Sequence, residues 1–243
     1  MIDSIPGLCV IVNFLCLTGL CRRIICTNIT LTMSTDVEYY MRLAREKLHK
    51  RQDEDAINNF RKALKCARKS RDTEAICKCT FNLGSALMAL SRTSEGLKEL
   101  ESVTPQENDH LLSGDLWYNK CLAHENLGNI ADAIKCIEQA IKCYSECSDV
   151  ASLKASSACR HGSLFKQLQE FEKAAEAYSV AASSYGTAND VAQQAVCLLQ
   201  QAQLLQRCNK SDDAVSVADT CAKLCYEQTD AGAGKCTKLE KEL

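Results

Sequence analysis

The chain has 243 residues with a formal net charge of −2, and 46% of its residues are hydrophobic. This length and composition allow a substantial core in one or two domains. Basic and acidic residues are interspersed without a basic stripe, which argues against nucleic acid as a partner. Only two prolines and ten glycines occur. Because helix-favouring Ala, Leu, Lys, Glu and Gln are abundant, the composition predicts an all-α fold.

The first 32 residues differ in composition from the rest. An apolar run from Leu8 to Leu20 is shorter than the about 20 residues that a membrane-spanning helix needs. The run would fit the core of a signal peptide, but the segment before it has Asp3 and no Lys or Arg. We therefore expect an unstructured leader or a gene-model extension ahead of Met33, and no membrane association. The alternative is a signal peptide and a secreted protein.

The 17 cysteines mostly occupy helical positions where a small apolar residue would pack. Free cysteine behaves as a small hydrophobe. No Cys-x-x-Cys pair occurs, and the four His do not complete a zinc ligand set. The sequence therefore predicts reduced core thiols, a cytoplasmic location, and neither metal nor other cofactor. Redox sensing by the close pairs Cys77–Cys79, Cys143–Cys147 and Cys221–Cys225 is a further alternative.

The stretch 117–144 shows how the rest of the chain is organised. Trp117, Cys121 and His124 recur at helical spacing and share one helix face. Gly128-Asn129 then predicts a helix end, because both residues tolerate the left-handed backbone. A second helical stripe follows, formed by Ala133, Ile137, Ala140, Ile141 and Tyr144.

The same helix pair recurs five times along the chain. A small residue in each first helix is followed twelve residues later by a small residue in the second helix. These pairs are Ala44 and Ala56, Gly84 and Gly96, Cys121 and Ala133, Gly162 and Ala174, and Ala202 and Ala214. The pattern predicts repeat units at about 36–70, 73–104, 110–147, 150–186 and 190–228, with a partial cap at 231–243. We expect the small pairs to let the two helices of each unit approach closely.

The order of aromatic, small residue, turn and alanine resembles the tetratricopeptide repeat family. Residues 56–100 also resemble the N-terminal repeats of the tetratricopeptide repeat protein 24 family, through the NNF run, CTFNLG and GLKEL. The resemblance implies a right-handed α-solenoid of about five antiparallel helix pairs. Members of that family carry further repeats, so a truncated form of a longer repeat protein is an open alternative.

No enzyme motif is present in the sequence, neither Gly-x-Ser-x-Gly nor His-Glu-x-x-His. Cys121 and His124 lie three residues apart on one helix and could be imagined as nucleophile and base. Both occupy repeat packing positions, however, and no third group orients them. We therefore expect a protein without enzymatic activity.

Binding is the function that the repeat pattern favours. In a tetratricopeptide superhelix the first helices line the concave groove, and the family resemblance implies that Asn82 and Asn119 contact a peptide main chain. The alternative is that Asn119 only solvates a helix surface. The other groove residues predicted by the same phase are Phe81, Tyr118, Arg45, Arg160, Lys166 and Arg207, with Met41, Ser85, Leu122, Glu125, Cys159, Ser163, Leu199 and Gln203 as further candidates.

The basic residues of this set favour an acidic or phosphorylated ligand, although Glu125 opposes it. We therefore predict a protein-interaction scaffold or adaptor that holds a partner peptide or helix in its groove. The alternative is a structural repeat module with weak self-association and no specific groove ligand.

Overall fold

The computed structural model describes residues 35–105 and 109–239, with side chains described up to residue 226. These residues form ten α-helices and no strand, which confirms the all-α prediction. The predicted leader, residues 1–32, lies outside the described ranges. The helices are α1 (Thr35–His49), α2 (Asp53–Ser70), α3 (Thr73–Ala89), α4 (Thr93–Glu101), α5 (His110–Asn126), α6 (Ile130–Ser145), α7 (Ala151–Gln167), α8 (Phe171–Thr187), α9 (Val191–Arg207) and α10 (Ser211–Leu239).

Short turns with a left-handed residue separate most successive helices. Gly128 has φ +78° just after α5, and the Asn129 N–H donates back to the His124 carbonyl at 2.8 Å. The predicted helix end at Gly128-Asn129 is therefore confirmed. The other residues with positive φ are Arg51, Arg71, Ser91, Asp149, Gln169, Asn189 and Asn209.

The described helices form two compact units. The first unit contains α1 to α4 and residues 119–129, and the second contains residues 109–118 and α6 to α10. Neighbouring helices pack in chain order within each unit, from α1 to α4 in the first and from α6 to α10 in the second. This nearest-neighbour packing is typical of helical repeats, because no single helix pair can bury its apolar face alone.

At two of the predicted small pairs, the paired helices approach each other closely. A Cβ atom added to Gly96 would lie 2.8 Å from the Gly84 carbonyl oxygen. One added to Gly162 would lie 3.2 Å from the Ala174 carbonyl oxygen. The expectation that small residues allow close helix contact is therefore confirmed at these two pairs.

Larger apolar residues fill the space beside the small pairs of the first four units, whereas Ala218, the equivalent residue of the fifth unit, is exposed. Four residues after the second small residue comes a side chain that is at most 6% exposed: Phe60, Leu100, Ile137 and Tyr178. A third packing residue follows three positions later and is equally buried: Ala63, Val103, Ala140 and Ala181. The repeat alignment therefore locates the core as well as the helices.

Two helices depart from the regular length. Helix α4 has only nine residues, half of the 18 in α2. Helix α10 has 29 residues and continues through the predicted boundary between a fifth unit ending at 228 and a separate cap at 231. Gly232 and Gly234 each cost roughly 1 kcal/mol of helix stability relative to Ala, and with no proline there the helix continues. Within the described ranges, no helix is long and apolar enough to cross a membrane.

Candidate functional site

In the first unit, the two asparagines predicted to contact a peptide are buried. Asn119 on α5 is 2% exposed, and its Nδ2 donates to Ser85 Oγ on α3 at 2.9 Å. Asn82 on α3 is 7% exposed, and its Nδ2 donates to the Lys78 carbonyl at 2.7 Å. Asn119 therefore ties two first helices together, which differs from an amide that simply faces solvent.

A donor and an acceptor on this same face are left without partners. Among the described residues, no donor reaches the buried Oδ1 of Asn82 and no acceptor reaches the buried Nε of Arg45 on α1. The repeat alignment makes Arg45 equivalent to Ser85 and Asn82 equivalent to Asn119. A buried polar atom without a partner costs about 1–3 kcal/mol, so a group that accepted from Arg45 and donated to Asn82 would relieve that cost.

The aromatic residues predicted beside the asparagines pack inside their units. Phe81 belongs to the first unit and Tyr118 to the second, and each is only 3% exposed. Their rings therefore support the first helices and present little area to a ligand in this conformation.

In the second unit, the basic groove candidates have different surroundings. Lys166 on α7 donates from Nζ to Gln200 Oε1 on α9 at 2.9 Å, which joins two neighbouring first helices. Arg160 on α7 is half-buried. The guanidinium of Arg207 lies 4.1 Å from the ring centroid of Phe171 on α8, so this side chain stacks against a second helix.

A buried acid lies where α5 meets α6 in the second unit. The Tyr144 hydroxyl donates to Asp115 Oδ1 at 2.6 Å. Burial raises the pKa of Asp115 to about 6, against the lowering effect of the hydrogen bond from Tyr144. The Tyr144 ring reaches this acid because Gly114 leaves space for it: an added Cβ would lie 2.5 Å from Tyr144 Cε1.

The described cysteines are free thiols, and several are deeply buried. Burial raises the pKa of Cys79 to about 12. In the second unit Cys159 and Cys197 are hydrogen bonded to each other; this bond lowers the pKa of Cys159 and raises that of Cys197. In the part of the chain that the structure describes, no three His, Cys, Asp or Glu residues are grouped to hold a metal ion.

A cavity in the first unit was not anticipated from the sequence. It has a volume of about 570 Å³ and lies along the second half of α2 beside α4; we call it the α2 basic pocket. Its lining residues are Arg61, Leu64, Lys65, Arg68, Lys69, Leu83 and Glu99. The sequence does indicate a basic surface here, because residues 61–71 contain six basic residues and no acidic one. The expectation of evenly interspersed charge was therefore wrong for α2.

Comparison with known proteins supports the fold assignment. Residues 116–230 match the family model of SNAP, the soluble NSF attachment protein. Among solved structures, the chain is similar to the MamA protein (16% identity, TM-score 0.61, covering 82% of this chain and 96% of that one). It is also similar to the tetratricopeptide-like repeats of a putative kinesin light chain from Podospora anserina (14% identity, TM-score 0.64, 81% and 99%). BtubC from P. vanneervenii gives 14% identity and a TM-score of 0.66 over 79% of this chain and 81% of that one. The chain therefore has the α-solenoid fold of tetratricopeptide-like helical-repeat proteins.

Proposed function

We propose that the protein is a non-enzymatic adaptor that holds a partner peptide against the first helices of its repeats. The observation that carries this proposal is the unpaired donor and acceptor on the first unit, Arg45 Nε and Asn82 Oδ1. A peptide group supplies the two complements, since its carbonyl accepts from Arg45 and its N–H donates to Asn82.

The neighbouring pair of residues prepares this site. The hydrogen bond from Asn119 to Ser85 joins α5 to α3. Asn119 therefore acts by holding α5 in place beside α3. Both unpaired atoms are buried in the free chain, and binding must displace the side chains that cover them. That rearrangement costs part of the affinity, which favours a partner of moderate affinity.

The second unit supports an acidic or phosphorylated partner segment. Arg160 and Lys166 lie on α7, and the neighbouring α9 exposes about half of Val196 and of Leu199. A segment with acidic groups and an apolar anchor would match this combination. Arg207 contributes less, because its guanidinium is stacked on Phe171.

Self-association is the second candidate function. Four of the nine large hydrophobic residues that are exposed in the described part of the chain lie on α9 and α10: Val196, Leu199, Val215 and Tyr226. Exposed apolar surface of this kind promotes contact between copies. Sedimentation velocity at increasing concentration measures it; a Val215→Lys/Tyr226→Lys variant that abolishes concentration-dependent assembly would support this function.

Two finer assignments accompany the proposal. Kinship with the tetratricopeptide repeat protein 24 family is supported by the CTFNLG and GLKEL segments of the first unit. A cytoplasmic location is supported by the more accessible thiols, exposed Cys225 and half-buried Cys143 and Cys221, which need a reducing compartment to stay reduced.

The experiment that tests the adaptor proposal is capture of partners from cell lysate by the immobilised chain, followed by mass spectrometry. The test variant is Asn82→Leu. Asn59→Leu is a matched control, because Asn59 is 6% exposed and also donates from Nδ2 to a carbonyl four residues earlier, at 2.7 Å. We expect Asn82→Leu to lose proteins that wild type and Asn59→Leu both capture. Equal capture by all three would refute the site.

A further inference from the structure

The α2 basic pocket exists because two equivalent helices differ in length. The repeat alignment equates Phe60 of α2 with Leu100 of α4, three residues before the equivalent pair Ala63 and Val103. Helix α4 ends at Glu101 while α2 continues to Ser70. Helix α4 therefore has no turns to match the last two turns of α2. The cavity of about 570 Å³ lies along these turns, within the size range of ligand sites, about 300–1,000 Å³.

The charges around this pocket are largely unbalanced. Among the described residues, no acidic side chain pairs with Lys65, Arg68 or Lys69. Arg61 reaches Glu95 only at 3.8 Å. Glu99 is the one acidic lining residue, so the lining is strongly basic overall.

The shape of the pocket distinguishes between anionic ligands. The basic residues run from Arg61 to Lys69, eight positions or roughly 12 Å along the helix axis, which is longer than one phosphate group. Leu64 and Leu83 lie at the base of the pocket and are 5% and 1% exposed, so the basic side chains form most of its accessible lining. An extended row of cations in a concave pocket fits a chain with repeated acidic groups better than a single ion or a flat membrane surface.

We propose that the α2 basic pocket binds an acidic peptide segment of a partner protein, which lies along α2 beside the end of α4. The acidic side chains pair with Lys65, Arg68 and Lys69, and an apolar side chain of the peptide packs against the aliphatic stems of Lys65 and Arg68. Six of the seven lining residues lie on the second helices α2 and α4, and Leu83 alone comes from α3. The pocket is therefore a second binding surface that shares no residue with the pair Arg45 and Asn82. The lysine and arginine side chains are exposed, so the interaction weakens as salt screens the charges.

The probe for this test is a fluorescein-labelled Glu-rich peptide of about 15 residues, roughly 22 Å long as a helix, with Leu at every fourth position. Its binding to the full chain is measured by fluorescence anisotropy at low and high salt. We expect at least about tenfold weaker binding for Lys65→Glu/Arg68→Glu/Lys69→Glu, because three exposed ion pairs are replaced by repulsion. The same positions changed to Gln give a milder variant with a smaller risk to folding.

A matched control makes the same charge change elsewhere. Arg51, Lys142 and Lys223 are exposed basic residues outside the pocket, and their combined replacement by Glu should leave peptide binding within about twofold of wild type apart from general charge effects. Equal weakening by both triple variants would overturn the proposal. Unchanged peptide binding by both pocket variants would also overturn it. So would unchanged affinity for a peptide in which the Leu residues are replaced.

The remaining outcomes identify a different occupant. Absence of peptide binding together with binding of inorganic phosphate, or of vesicles containing phosphatidylserine, would overturn the peptide assignment. Sedimentation without any peptide tests for assembly of the chain with itself. If wild type assembles and the pocket variants do not, the pocket binds a second copy of the chain. A failed groove test with Asn82→Leu leaves this experiment unaffected, since the two surfaces share no residue.

Discussion

Replacing Gly162 with Ala should destabilise the second unit, although alanine is the better helix former. The new Cβ would lie 2.9 Å from Tyr178 Cδ2 and Cε2 and 3.2 Å from the Ala174 carbonyl oxygen. Overpacking of this kind costs about 1–3 kcal/mol, with the upper part expected where backbone is involved. The higher helix propensity of alanine offsets at most about 1 kcal/mol of this cost. The net loss is therefore about 1–2 kcal/mol, which lowers Tm by about 2–8 °C for a chain of this size.

Gly186→Ala is the matched control for this substitution. Gly186 lies on the neighbouring helix of the same unit, and the three atoms nearest to an added Cβ all belong to the side-chain amide of Gln194, with Nε2 at 3.0 Å. That flexible group can move, so Gly186→Ala should keep or raise Tm by a few degrees. Thermal unfolding followed by circular dichroism measures both variants. A Gly162→Ala protein that is as stable as Gly186→Ala would refute the close-packing argument.

Three further predictions concern buried polar groups and thiols. Burial raises the pKa of Asp115 to about 6, so its protonated form contributes stability below about pH 4, and this contribution falls by about 3 kcal/mol as pH rises from about 4 to about 6. Asp115→Asn should remove this pH dependence of unfolding, and an unchanged profile would contradict it. Ser85→Ala leaves the buried Asn119 Nδ2 without its acceptor and should cost about 1–3 kcal/mol, measured by denaturant unfolding; an unaltered midpoint would count against this bond. With iodoacetamide, exposed Cys225 should be alkylated well before buried Cys79, because only the thiolate reacts; equal rates by mass spectrometry would be inconsistent with the described burial.

The sequence predicted the features that depend on local spacing. The twelve-residue offset between small residues identified where paired helices touch, because close backbone contact tolerates only small side chains at Gly84 and Gly96. The helix end at Gly128-Asn129 followed from left-handed backbone preference. Each of these features is decided within one helix pair, and a periodic pattern is enough to reveal it.

The sequence could not predict features that depend on neighbouring repeats. Asn119 lies at a position expected to face a ligand, but the Ser85 hydroxyl on another helix accepts its donor, and helical phase carries no information about that contact. The pocket on α2 arises from the early end of α4 at Glu101. The run of basic residues on α2 could be identified in the sequence. The cavity beside it could not, because it depends on α4 being shorter than α2.

The glycines after residue 228 illustrate the limit of local signals. The repeat pattern predicted a fifth unit ending at 228 and a partial cap at 231–243, yet α10 continues through Gly232 and Gly234 to Leu239. The cost of a single glycine in a helix is about 1 kcal/mol, which neighbouring helix-favouring residues offset. A glycine alone therefore predicts a helix end only when a turn-forming partner follows, as Asn129 follows Gly128.

The measurement that tests the central claim most directly is the affinity of a captured partner peptide for wild type and Asn82→Leu, combined with their melting temperatures. The account predicts a large effect on binding and a small one on stability. Asn82→Leu removes a buried unpaired acceptor together with the hydrogen bond from Nδ2 to the Lys78 carbonyl, and these two changes offset each other in Tm. Loss of the hydrogen bond to the peptide weakens binding by about tenfold or more. Asn59→Leu should bind as wild type does. An Asn82→Leu protein that binds the peptide with unchanged affinity would contradict the account.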